Sequence, residues 1–177
     1  MTRSASPLRW AAAIVLMCLA LILQVSLFSA FAWDGVVPDL VLLVVVAAAL
    51  NEGGQFGVIV GFLGGLLLDV VPPVDHTAGR WALALVVVGY VAGRVRQGLP
   101  AERITPMTAL ATAGACSFVG TSVYAITGLL LHDQEGSFGH VLSVVGISLL
   151  WDLLLTPIVL PGSMALLRRI ELVRGLA

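Results

Sequence analysis

The stretch GVIVGFLGGLLLDVVP, residues 57–72, is almost wholly apolar and contains a single carboxylate. Its small and acidic positions, together with one glycine before it, are spaced four apart: Gly53, Gly57, Gly61, Gly65 and Asp69. Residues four apart are neighbours on one face of a helix. The spacing therefore predicts a helix with a glycine ridge, Gly53 to Gly65 in steps of four, which a second helix backbone can approach closely.

The carboxylate of Asp69 extends the glycine ridge, and we expect it to face packed protein rather than lipid. A carboxylate costs about 2.5–3.5 kcal/mol at the centre of a membrane helix and less near its ends. Two interpretations are open. The side chain fixes neighbouring helices by a hydrogen bond or an ion pair, with Arg80 as the candidate mate, or it reaches headgroup water.

The composition predicts an integral membrane protein. Of the 177 residues, 59% are hydrophobic and 11% are charged, whereas soluble domains are roughly 25% charged. The formal net charge of −1 argues against a polybasic nucleic-acid binder, so no nucleic acid is expected as a partner. Cys18 and Cys116 both lie in apolar runs, which argues against a disulfide framework.

The apolar segments predict an all-α membrane protein. A helix needs about 20 apolar residues to cross a hydrocarbon core about 30 Å thick. Six spans follow: residues 10–32, 36–50, 56–71, 81–95, 107–131 and one within 140–167. The chain then divides into a cytoplasmic N-terminus (1–9), a six-helix transmembrane domain (10–167) and a cytoplasmic C-terminal tail (168–177). A re-entrant hairpin over residues 36–72 is the competing interpretation.

Arginine placement predicts the orientation, because cytoplasmic flanks carry the excess of positive charge. Threading the six spans puts eight arginines on one side: Arg3, Arg9, Arg94, Arg96, Arg103, Arg168, Arg169 and Arg174. Only Arg80 falls on the other side, so both termini are predicted to be cytoplasmic. A cleavable signal peptide ending near AFA at 30–32 is the alternative, but the apolar run is longer than the ~7–15 residues of such a segment.

A second carboxylate, Asp152 in SLLWDLLLTP, lies deeper. It is about 18 Å below the outer end of its span at 1.5 Å per residue, and Ser148 and Thr156 flank it at four residues on either side. Ionisable residues within a membrane are functional candidates. The alternative is a structural hydrogen bond to a neighbouring helix through Gln24 or Tyr124. Gln24 and Asp152 are thus the predicted intramembrane polar residues.

No recognised catalytic or metal-binding motif is present. Several titratable residues fall on the predicted outer side: Asp75, His76, His132, Asp133, Glu135 and His140. Their spacing matches no HxH, HExxH or CxxC pattern. The chain also lacks lysine, and therefore a Walker motif, and has no G-x-S-x-G element. The sequence predicts no enzyme, no cofactor and no metal.

The segment between about residues 38 and 96 resembles the MreD family of rod shape-determining proteins. The resemblance rests on a Pro-Asp-Leu opening, a glycine-rich helix ending in aspartate and GYVAGRVR at 89–96; the matching positions are Pro38, Asp39, Leu40, Gly57, Gly61, Phe62, Gly65 and Asp69. It implies a six-helix protein of the bacterial inner membrane that serves cell-wall elongation and is not an enzyme. It also implies association with MreC, and through MreC with MreB, RodA and a transpeptidase.

The family's fold is similar to that of the S components of energy-coupling-factor transporters. This similarity implies an alternative function, a vitamin-binding subunit. S components dock through alanine-x-x-x-alanine motifs on their first helix, but AAAIVLMCLALIL at 11–23 lacks the motif. A vitamin pocket also needs several converging polar groups, and the outer loops offer few. The scaffold interpretation is favoured.

For the scaffold, we hypothesise a docking face on the second and third helices. It consists of the glycine ridge with Pro38 and Asp39 and with Asp69, and it receives a partner's membrane helix by close packing and one or two polar locks. Packing of the ridge within the chain itself is the open alternative. The basic inner loop at 94–103 is expected to lie against anionic lipid headgroups or a cytoplasmic partner.

Overall fold

Six α-helices account for most of the chain. The computed structural model describes residues 7–33, 35–71, 77–99, 104–131 and 138–175, without the side chains of residues 138, 140 and 168–175. The helices are α1 (Pro7–Ser26), α2 (Leu40–Glu52), α3 (Gly54–Val70), α4 (Arg80–Gly98), α5 (Pro106–Leu130) and α6 (Phe138–Gly175), with a 3₁₀ helix at Phe28–Phe31. No strand occurs within the described ranges, so the all-α fold class is confirmed there.

Some residues named above lie outside this description. They are Arg3, Asp75, His76, Arg103, His132, Asp133 and Glu135, and the side chains of His140, Arg168, Arg169 and Arg174. The predicted spans otherwise correspond to the helices within a few residues at most ends. The main differences are that the first helix ends at Ser26 and the last runs on to Gly175.

Three helical segments are both long and apolar enough to cross a membrane: Pro7–Ser26, Pro106–Leu130 and Val141–Leu167. α2 and α3 are apolar but shorter. At 1.5 Å per residue their 13 and 17 residues extend for about 20 and 26 Å. Their length alone therefore does not decide whether they cross.

α2 is the central helix of the bundle. Every residue from Leu40 to Leu50 is at most 4% exposed, and α2 contacts each of the other five helices. Its sequence explains this position, because LVLLVVVAAAL is apolar on all sides and such a helix is stable only when it is enclosed. α2 is therefore enclosed by its own chain, as the alternative of packing within the chain has it.

α3 and α4 pack against each other along the glycine ridge. A methyl group built on Gly61 would overlap the Leu85 carbonyl of α4, and one on Gly65 would overlap the backbone of Ala82. On Gly57 it would meet Ala49 of α2 as well as α4. In this chain α4 therefore occupies the face on which a partner helix was hypothesised.

Gly53 has a different role from the other ridge glycines. It is the single residue between α2 and α3, and its φ of 102° lies in a region that side-chain-bearing residues rarely adopt. Nearby, Arg9 Nη1 lies 2.6 Å from Glu52 Oε2, and the Trp10 and Phe56 rings are 4.4 Å apart. The start of α1 is thus fixed beside the α2–α3 junction.

Replacement of Gly61 by alanine tests the α3–α4 contact. Because the new methyl group would overlap a backbone carbonyl rather than a flexible side chain, we expect α3 and α4 to be forced apart, at about 1–3 kcal/mol. The free energy of unfolding in mixed micelles measures the loss. Gly146→Ala on α6 is the control, because no atom lies within 4 Å of its added methyl group. Equal stability of the two variants would contradict the close contact.

Candidate functional site

The N-terminus of α2 begins inside the bundle, where Asp39 and Leu40 are 3% and 4% exposed. The first N–H groups of a helix have no partner within it, and each unsatisfied one costs several kcal/mol in an apolar medium. Side chains supply the acceptors here. Asp39 N–H donates to Asp152 Oδ1 (2.8 Å), Val41 N–H to Gln24 Oε1 (3.3 Å) and Leu42 N–H to Asp39 Oδ1 (2.9 Å). Three side chains from three segments thus cap one helix.

Asp152 connects this cap to α5. Its second oxygen, Oδ2, accepts a hydrogen bond of 2.6 Å from Ser117 Oγ, and both residues have no exposed surface. A carboxylate in this position also lies at the positive end of the α2 dipole. The partners are therefore Ser117 and the Asp39 main chain, not the expected Gln24 or Tyr124. Gln24 binds the same helix end two residues further along.

Asp69 caps the N-terminus of α4 in the same way. Its Oδ2 accepts from the N–H groups of Gly79 (2.9 Å) and Ala82 (3.2 Å), and its Oδ1 accepts from Trp81 N–H (3.1 Å). With 4% of its surface exposed, Asp69 lies in packed protein, contrary to the interpretation in which it reaches headgroup water. The last position of the glycine ridge pattern thus joins α3 to the start of α4.

Arg80, which was suggested as the partner of Asp69, packs against Tyr124 of α5. Its guanidinium carbon lies 4.0 Å from the centre of the Tyr124 ring, and its Nη2 donates to the Tyr124 carbonyl over 2.8 Å. The Trp81 ring packs on Tyr124 with centroids 4.3 Å apart. Arg80 is 3% exposed, so this arginine is a structural element of the bundle.

A cavity of about 210 Å³ opens beside the α2 cap. Its polar lining consists of Gln24, Asp39, Thr121, Tyr124 and Ser148. The Oδ2 atom of Asp39 is buried and has no hydrogen-bond partner among the described residues. This cavity and the α2 cap form the candidate site, which brings together the predicted residues Gln24, Asp39 and Asp152.

The glycine ridge and Asp69 lie outside this group, on the α3–α4 contact. Sequence reasoning missed Ser117, which no local pattern distinguishes from the other small residues of α5. It also missed the capping role of Asp39, although an aspartate directly before an apolar helical run is a recognised helix-start signal. Within the described residues, no group of three or more His, Cys, Asp or Glu side chains could hold a metal ion.

Comparison with known proteins gives one match. The family model described as rod shape-determining protein MreD matches residues 4–170 of the 177-residue chain. No curated protein and no solved structure matches it. The match includes α1 to α5 and most of α6, and therefore every residue of the α2 cap.

Replacement of Asp152 tests the α2 cap. Asp152→Ala leaves the Asp39 N–H and the Ser117 hydroxyl buried without their acceptor, and we expect a loss of about 1–3 kcal/mol for each unsatisfied donor. Asp152→Asn retains one acceptor oxygen and should lose less. The free energy of unfolding in mixed micelles ranks the two variants. A wild-type value for Asp152→Ala would show that the cap contributes nothing to stability.

Proposed function

Because this chain belongs to the MreD family of rod shape-determining proteins, as its resemblance predicted, we propose that it is a non-enzymatic membrane scaffold of the cell-wall elongation machinery. Membership of the family gives it a role in rod shape determination, and its three long apolar helices are those of a membrane protein. In this proposal its direct partner is an MreC-like protein. MreB, RodA and a transpeptidase are reached through that partner. The observation that carries the proposal is the extent of the family match.

The proposed topology has six crossings of the bacterial inner membrane with both termini in the cytoplasm. The arginine distribution supports it, and so does the Arg9–Glu52 pair, which brings the start of α1 and the end of α2 to the same side. The shortness of α2 is compatible with this topology. Because α2 is surrounded by its own chain, its length need not match the lipid thickness.

The partner-binding surface in this proposal is an outward face of the bundle. α2 is enclosed, and α4 covers the glycine ridge. Neither α2 nor the ridge can therefore receive a partner helix unless the core unpacks. The outward faces of α1, α3, α4, α5 and α6 remain, and they carry large exposed apolar side chains. The glycine contacts and helix caps would hold these faces in fixed relative positions, which is the physical requirement of a scaffold.

Affinity purification of the full chain in mild detergent from its host membranes, with partners identified by mass spectrometry, tests this function. Recovery of an MreC-like protein with wall synthases supports the scaffold. Recovery of an ATPase pair with a coupling subunit would instead support the vitamin-transporter alternative. A single purification therefore separates the two classes of function.

Photo-crosslinking in cells maps the partner surface. A photoreactive phenylalanine analogue is placed singly at exposed positions on five helices: Val15 of α1, Phe62 of α3, Tyr90 of α4, Phe118 of α5 and Ile158 of α6. We expect the MreC-like partner to crosslink from neighbouring positions only, because one membrane helix covers one face. The unreactive positions are the matched controls. Absence of crosslinks from all five faces would contradict direct contact within the membrane.

A further inference from the structure

The carboxylate of Asp39 differs from the other two carboxylates that cap helices. Both oxygens of Asp152 and both oxygens of Asp69 accept hydrogen bonds. Asp39 uses Oδ1 to accept from Leu42 N–H, whereas its Oδ2 has no partner among the described residues although Asp39 is only 3% exposed. A buried acceptor without a donor costs about 1–3 kcal/mol, and more when it is charged.

The cavity beside Asp39 has room for a donor. A water molecule occupies about 30 Å³ in the liquid, whereas the cavity measures about 210 Å³. It can therefore hold a molecule of several heavy atoms in contact with Asp39. Burial of 70–90% of a ligand's surface in a mostly apolar pocket with a few placed polar groups is typical of small-molecule sites.

The lining selects the chemistry of the ligand. Asp39 is the charged member of the described lining, the hydroxyls of Ser148 and Tyr124 add polar positions, and most of the remaining wall is apolar. An anion would be repelled by the carboxylate. A protonated amine presents three N–H donors and a positive charge, and a short alkyl chain attached to it would contact the apolar wall.

We propose that the cavity beside Asp39 binds a small molecule bearing a protonated primary amine, with the ammonium group beside the Asp39 carboxylate. The amine belongs either to a soluble molecule or to an ethanolamine lipid headgroup, because both present the same group. The site is distinct from the outward faces proposed for partner binding. Its failure would therefore leave the scaffold proposal intact.

The test uses the full chain, purified and delipidated in detergent, with butylammonium chloride as the probe. 1-Butanol is the matched neutral probe, because it has the same alkyl chain without the charge. We expect butylammonium to raise the thermal unfolding temperature saturably and to show ligand-observed NMR saturation transfer, and 1-butanol to do neither. An equal response to both probes would overturn the proposal.

Two variants separate binding from folding. Asp39→Asn keeps an acceptor oxygen for Leu42 N–H, and asparagine is a good N-cap, but it removes the charge, so we expect at least tenfold weaker binding. Ala125→Leu, at a buried position in the lining, fills the cavity without changing a polar group and should also abolish binding. Glu52→Gln is the control. It removes a carboxylate that pairs with Arg9 at the opposite end of α2 from Asp39, and this variant should bind normally.

The source of the amine is identified in lipid nanodiscs. If phosphatidylethanolamine nanodiscs weaken butylammonium binding relative to phosphatidylglycerol nanodiscs, the natural ligand is a lipid headgroup. If binding is equal in both, the ligand is a soluble amine. Unchanged butylammonium binding in Asp39→Asn and Ala125→Leu, or no saturable binding to the wild-type chain, would overturn the proposal and leave water as the occupant.

Discussion

The bundle depends on the hydrogen bonds that cap α2 within its interior. α2 contacts all five other helices, so its position fixes theirs. A helix that starts in a packed interior needs acceptors for its first amides. Asp152, Gln24 and Asp39 provide those acceptors from α6, α1 and the residue directly before α2. Ser117 then binds Asp152 and brings α5 into the same network.

Close backbone packing and helix capping occur together at α3 and α4. The glycines let the two backbones touch, and Asp69 at the end of the same pattern caps the start of α4. Without a hydrophobic driving force between helices in lipid, such van der Waals contact and interhelical hydrogen bonding are what hold a bundle together. The small and polar residues are consequently used inside, and the outward faces remain apolar for lipid and for the proposed partner.

This division explains why α2 and the glycine ridge pack within the chain, which was the alternative to the docking hypothesis. A small-residue face indicates that some backbone approaches closely, but the pattern is the same whether that backbone belongs to the same chain or to another. The all-round apolarity of α2 was the stronger signal, because a helix without a polar face is enclosed. This apolarity favours a position for α2 at the centre of the bundle, and with it packing of the glycine ridge within the chain.

The sequence by itself determined the six helices, the membrane character and the family, because these follow from composition, from apolar run length and from local motifs such as the one at residues 57–69. Only the tertiary structure decided what each carboxylate binds. Asp152 meets Ser117, 35 residues away, and Asp39, 113 residues away. Such pairings arise from the way whole helices pack, so no local pattern around Asp152 encodes them. The unpartnered oxygen of Asp39 and the cavity beside it are likewise features of the folded chain that the sequence does not predict.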